Sequence, residues 1–224
     1  MQPRLVEVRR NVLKQNDVLA ADLRRRFENA NLFVTSLVSS PGTGKTELLE
    51  KTLSLLKPTM SVAALVGDLA TANDAARLER AGVPVKQIIT GTVCHLEAQM
   101  VGDALGDWDL NSLDCLFIEN VGNLVCPSSY DLGEALRIVL MSVTEGEDKP
   151  LKYPTIFNTA DVAVITKIDL ADAVEFDRRA AHASIQAVRP GINVLEVSAK
   201  TGDGMDNWIG FIRSQMKMRA VAAA

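Results

Sequence analysis

The stretch LFVTSLVSSPGTGKTELLEKT, residues 32–52, decides the fold. Its opening LFVTSLV is apolar and β-branched, as a buried strand requires, and from Lys45 onward Leu49, Leu53 and Leu56 recur at helical steps. Between strand and helix lies SSPGTGKT (39–46), close to the pattern GxxxxGK[ST]. Gly42 and Gly44 let the backbone curl so that successive N–H groups converge on phosphate oxygens. Lys45 can reach the outer phosphates, and the Thr46 hydroxyl suits Mg²⁺. Pro41, Thr43 and Glu47 complete the segment expected to wrap the ligand. Ser39 stands where the first glycine belongs, and Ser40 where a second, signature lysine of some related ATPases would stand. A glycine-rich turn with a chance lysine is the bland reading, but strand before and helix after favour nucleotide binding.

Outward from this loop, further apolar runs that do not alternate fall at 61–67, 83–90, 113–119, 135–143, 160–167 and 192–198, separated by helical sequence. That pattern implies an α/β domain with a mostly parallel central sheet and helices on both faces. Residues 1–30 read as an N-terminal helical segment and 31–224 as the nucleotide-binding domain with inserted loops. The polar stretch TEGEDKPLKYP (144–154) reads as a mobile loop and the terminal AVAAA as a frayed helix end. The chain has 224 residues, 47% of them hydrophobic, a net charge of −4 and three cysteines. This balance gives nucleic-acid binding no support, and an odd, low cysteine count points to a reducing, cytoplasmic setting without a disulfide framework. No apolar run is long enough to span a membrane, and the N-terminus lacks a signal-peptide pattern.

Two later segments address the base. Thr166-Lys167-Ile168-Asp169 and Ser198-Ala199-Lys200 resemble the guanine-reading elements [NT]KxD and SAK of GTPases. A carboxylate at 169 can accept from both the ring N–H and the exocyclic amine of guanine, and the Lys167 stem can cover the base. Thr166 in place of Asn leaves one supporting hydrogen bond open. Asp68, at the end of the second strand, and Glu119-Asn120-Val121-Gly122, at the end of the fourth, read as switches. The two carboxylates would hold Mg²⁺, and the Gly122 N–H would sense the terminal phosphate. Asn123 stands where a water-positioning Gln often follows, and no arginine finger is identifiable, so slow hydrolysis is expected.

The chain has two histidines, and one is joined to a cysteine in GTVCHLEAQ (91–99). Cys94 and His95 could be core filling, metal ligands, or a nucleophile with its base. Cys126 follows Gly122 by four residues, and a parallel sheet can bring the two loops together at the nucleotide end. Two thiolates and an imidazole suit Ni²⁺ or Zn²⁺ and leave one coordination position. Cys115, inside an apolar strand, reads as a buried small hydrophobe.

Together SSPGTGKTELLEKT, the Gly67-Asp68 pair, TGTVCHLEA, ENVGNLVCP, TKIDL and SAKTGDG resemble the HypB family, GTPase accessory proteins of the SIMIBI class that help insert nickel into [NiFe]-hydrogenase. The resemblance covers residues 20–215. It implies GTP and GDP binding with Mg²⁺, a homodimer with a Ni²⁺ or Zn²⁺ site on Cys94, His95 and Cys126, and cooperation with the HypA metallochaperone and the hydrogenase large-subunit precursor. The cysteine-rich N-terminal motif and the histidine-rich stretch of some members are missing from this sequence. A urease-type nickel GTPase would carry Cys-Pro-His, which does not occur here. A cobalamin-chaperone GTPase, a small-molecule P-loop kinase with 144–154 as its lid, and a nucleotide-gated scaffold without metal are competing readings of the same phosphate loop.

Overall fold

The computed structural model describes residues 4–69 and 73–222. Chain order is α1 (Arg4–Asn29), β1 (Phe33–Ser39), α2 (Lys45–Leu56), β2 (Val62–Asp68), α3 (Asn73–Glu79), β3 (Val85–Ile89), α4 (Ala98–Ala104), β4 (Cys115–Glu119), β5 (Leu136–Ser142), α5 (Lys149–Lys152), α6 (Pro154–Thr159), β6 (Val162–Thr166), α7 (Arg178–Val188), β7 (Asn193–Val197) and α8 (Met205–Ala222). The strands form one sheet in the order β3-β2-β4-β1-β5-β6-β7, with every pairing parallel.

Both faces of the sheet are covered, which is why its strands read as continuous apolar runs. Phe33, Leu37, Phe117, Ile138 and Val164 point to one side, where α2 and α8 pack. Trp208 of α8 is fully buried there, and its Nε1 donates to Thr52 Oγ1 of α2 at 2.8 Å. Across the sheet, Val34, Leu65, Leu116 and Ile118 meet Ala20, Leu23 and Phe27 of α1 and Val101 of α4. Val139, Met141, Ala163 and Ile165 meet Ile156 and Phe157 of α6 and Ile185 of α7.

Register places the chemistry. Glu119 lies opposite Leu37 on one side and Val66 on the other, so the end of β4 sits between the start of the phosphate loop and Asp68. Thr166 pairs with Ser142 and Val197, which sets Lys167–Asp169 beside Ser198–Lys200. β1 runs out to β2 and β4 crosses back to β5, so the crevice expected at the reversal of strand order opens at these carboxyl ends.

One expectation is corrected. TEGEDKPLKYP is not an irregular mobile loop. Ser142 and Glu145 form a reciprocal cap, Lys149 pairs with Glu145 at 3.0 Å, Pro150 is buried, and the segment continues as α5 into α6. The cap and the buried proline outweigh the polar composition. α8 runs to Ala222, and the rest of the AVAAA end lies outside the described residues. No helix among the described residues is long and apolar enough to cross a membrane.

Candidate functional site

The carboxyl ends of β1, β2, β4, β6 and β7 enclose a cavity of about 630 Å³, within the usual span for small-molecule sites. Pro41, Gly42, Gly44, Lys45, Thr46, Glu47, Asp68, Glu119, Gly122, Thr166, Lys167, Asp169, Ser198, Ala199 and Lys200 all line it. Of the residues expected to hold a nucleotide, Thr43 alone is absent from the wall. It is buried, and its hydroxyl lies 2.9 Å from the Ser40 carbonyl and 3.0 Å from Glu145 Oε2.

Gly42 and Gly44 take positive φ angles of 74° and 98°, which lets the loop turn its amides inward before α2. Lys45 is buried, and its Nζ donates to Ser39 Oγ at 3.0 Å. The serine that replaces glycine thus gives the ammonium a resting partner. Burial lowers the Lys45 pKa, while nearby Glu119 works against that shift. Thr46 Oγ1 donates to Glu119 Oε1 at 2.7 Å, and Glu119 Oε2 is buried without a hydrogen-bond partner. Burial pushes the Glu119 carboxyl up to about 7. A spare acceptor beside a threonine hydroxyl fits a hard divalent cation such as Mg²⁺. Gly122 is pressed against the loop: a Cβ there would lie 3.0 Å from the Pro41 backbone.

The base-side residues are tied to the phosphate loop. Thr166 Oγ1 lies 2.6 Å from the Thr43 carbonyl, so a threonine supplies a loop-holding bond where Asn is more usual. Lys167 adopts a left-handed backbone and its Nζ donates to the Gly42 carbonyl at 2.6 Å. Asp169 Oδ1 accepts from Ser198 Oγ at 2.7 Å, which orients the carboxylate. Glu47 is engaged elsewhere, in an ion pair with Arg77, which also bonds Glu50 at 2.7 Å.

Cys94, His95 and Cys126 come together at the same end, their ligand atoms all within 4.8 Å of one another. Neither cysteine is in a disulfide, and their Sγ atoms lie 3.0 Å apart. Neither buried His95 ring nitrogen makes a hydrogen bond; Glu97 Oε1 lies 3.4 Å from Nε2, an ion pair only when the ring is protonated. Burial lowers the His95 pKa, which favours the neutral, metal-ligating imidazole. Tyr130 holds the ring from one side, with centroids 3.9 Å apart. Two soft donors and an imidazole whose nitrogens make no hydrogen bond fit a nickel or zinc ion. Cys115 is fully buried in β4 and far from a ligand's state, since burial raises its thiol pKa strongly.

Sequence reasoning missed several contributors. Asp74 and Arg77 of α3 line the cleft, but their positions carry no motif. Asn120 accepts from Leu96 N at 3.0 Å, and Asn123 Nδ2 donates to the Cys94 carbonyl at 3.3 Å. Asn120 stands inside a motif legible only for its acid and glycine, and Asn123 reads in the sequence only as the residue in place of a water-positioning Gln. Glu145, which holds Thr43 and Ser142 N, lies in the polar stretch whose composition predicts a loop.

Residues 33–196 match the family model described as the CobW/HypB/UreG nucleotide-binding domain. The chain is 49% identical over 218 residues to the hydrogenase maturation factor HypB of Azotobacter vinelandii, covering 97% of this chain and 72% of that protein. It superposes with a TM-score of 0.86 on HypB from Helicobacter pylori, solved in complex with nickel, at 41% identity over 92% of this chain and 96% of that one. The hydrogenase maturation factor HypB from Archaeoglobus fulgidus gives 0.84 and 37%, covering 91% and 99%.

Proposed function

The chain belongs to the HypB family of hydrogenase maturation factors, which are P-loop GTPases, and from that premise we propose that it couples GTP turnover to the holding and release of nickel on Cys94, His95 and Cys126. The observation that carries this reading is the junction of two sites: Glu119–Gly122 lines the nucleotide cleft, and the chain runs on four residues to Cys126 in the ligand cluster.

In this reading the Gly42–Thr46 amides and Lys45 bind the phosphates, and Asp169, oriented by Ser198, reads guanine. Thr46, Glu119 and Asp68 would hold Mg²⁺, which supplies charge neutralisation at the outer phosphates. Gly122, against Pro41, sits where its N–H can follow the terminal phosphate. Turnover is slow because the residues that could hasten it are engaged. The Asn123 amide bonds the Cys94 carbonyl and Val125 N, and Glu47 and Glu50 hold Arg77.

The same end of the sheet exposes Leu69, Ile89 and Val125. A homodimer closing over these side chains would cover the metal ligands. The HypA metallochaperone and the hydrogenase large-subunit precursor are the partners to which nickel would pass, in the cytoplasm. Three protein ligands leave a coordination position for such a partner.

Anaerobic nickel titration tests the reading, with GDP and with a non-hydrolysable GTP analogue, while solution mass is followed. Nickel affinity should differ between the nucleotide states by roughly 5- to 150-fold, and mass should double in one of them. Cys94→Ala/Cys126→Ala should lose more than about a hundredfold in affinity. Equal affinities in the two states would sink the coupling.

A further inference from the structure

The loop that carries Cys94 and His95 has no helix or strand of its own. Its buried Leu96 N–H is satisfied by a side chain, Asn120 Oδ1, at 3.0 Å, and the same oxygen accepts from Val121 N at 2.9 Å. Asn120 is only 2% exposed. It follows Glu119 directly and precedes Gly122, the residue packed on Pro41 of the phosphate loop. Leu96 itself is fully buried, and its side chain fills the space beside Gly67, one residue before Asp68. Asn123 adds a second strap, from Nδ2 to the Cys94 carbonyl.

We propose that Asn120 is the positioning residue through which the nucleotide cleft sets the place of Cys94 and His95. This assignment rests on the coupled nickel site proposed for the chain. Cys126 is joined to the Glu119–Gly122 segment by the chain itself, only six residues beyond Asn120. Cys94 and His95 lie more than twenty residues upstream and reach that segment through side-chain bonds, of which the Asn120 bond is the buried one. A shift of the segment with nucleotide state therefore moves all three ligands in concert while Asn120 holds Leu96. Without that bond the segment moves Cys126 directly, while Cys94 and His95 follow only through the Asn123 strap and the contact between the two thiols, and their report of the nucleotide is lost in large part.

The measured quantity is the ratio of nickel affinities with a GTP analogue and with GDP, read from thiolate-to-nickel charge-transfer absorption on the full chain. A purely structural role would change both affinities together and leave the ratio intact. Asn120→Leu, similar in volume but without an acceptor, should bring the wild-type ratio below about twofold. Asn120→Asp, which keeps an oxygen for the Leu96 N–H, should preserve most of it. If the leucine variant does not fold, Asn120→Ser is too short for this bond and carries the same expectation. A wild-type ratio that survives in the leucine or serine variant overturns the assignment and leaves the coupled site standing. A wild type with no difference between nucleotides overturns both.

Discussion

Glu119 is a buried carboxyl whose second oxygen has no partner, and burial holds its pKa near 7 against an ordinary 4.5. Between those two values the nucleotide-free folded protein binds more protons than the unfolded chain. The group's effect on stability is therefore most favourable below about pH 4.5 and is lost as pH rises through 7, a change on the order of 3 kcal/mol. Urea unfolding of wild type and Glu119→Gln checks this. The glutamine variant should gain far more over wild type at about pH 7.5 than at about pH 5. An equal difference at both would show that the carboxyl is already ionised in the fold. At this scale the sequence was readable for charge type and blind to partners. That Glu119 answers Thr46, or that Ser39 carries Lys45, depends on which strand ends lie side by side.

Helix α2 begins inside the phosphate loop, so whatever fixes α2 fixes the loop's amides. Trp208 of α8 does much of this, fully buried and bonded through Nε1 to Thr52. Trp208→Ala should cost about 3–5 kcal/mol and lower the midpoint of thermal unfolding by roughly 10 °C, as calorimetry would record. A fall of a degree or so, roughly what a surface change gives, would mean that α8 is not a brace. Element existence was legible wherever an apolar run exceeded a turn or two, as in β1, β2 and β6. It failed over 144–154, where composition is polar. There the order comes from the Ser142–Glu145 cap and from buried Pro150, Ile156 and Phe157.

Across the whole molecule, the proposed base site is a meeting of three distant segments: the phosphate loop, the end of β6 and the end of β7. Asp169 is held by Ser198, and Lys167 and Thr166 are held by loop carbonyls. Asp169→Asn keeps the shape but turns one acceptor into a donor. It should weaken guanine nucleotides by about a hundredfold or more and favour xanthine nucleotides, whose ring carbonyl accepts that donor. Competition binding with GDP and XDP reads this directly. Unchanged preference would remove Asp169 from the base site.

By itself the sequence determined the fold class, the phosphate loop and the residue types of both candidate sites. These depend on local backbone geometry and on a side-chain period that shows in one dimension. It also carried the likeness to a family, because the motif segments keep their order. Tertiary structure decided the rest. Parallel register set Glu119 between β1 and β2, and packing drew Cys94, His95 and Cys126 within 4.8 Å. It also made Asn120 and Asn123 the straps of the loop that carries Cys94 and His95. The physical reason is that a buried N–H or C=O takes whichever partner the fold brings near, and sequence spacing does not say which one that is.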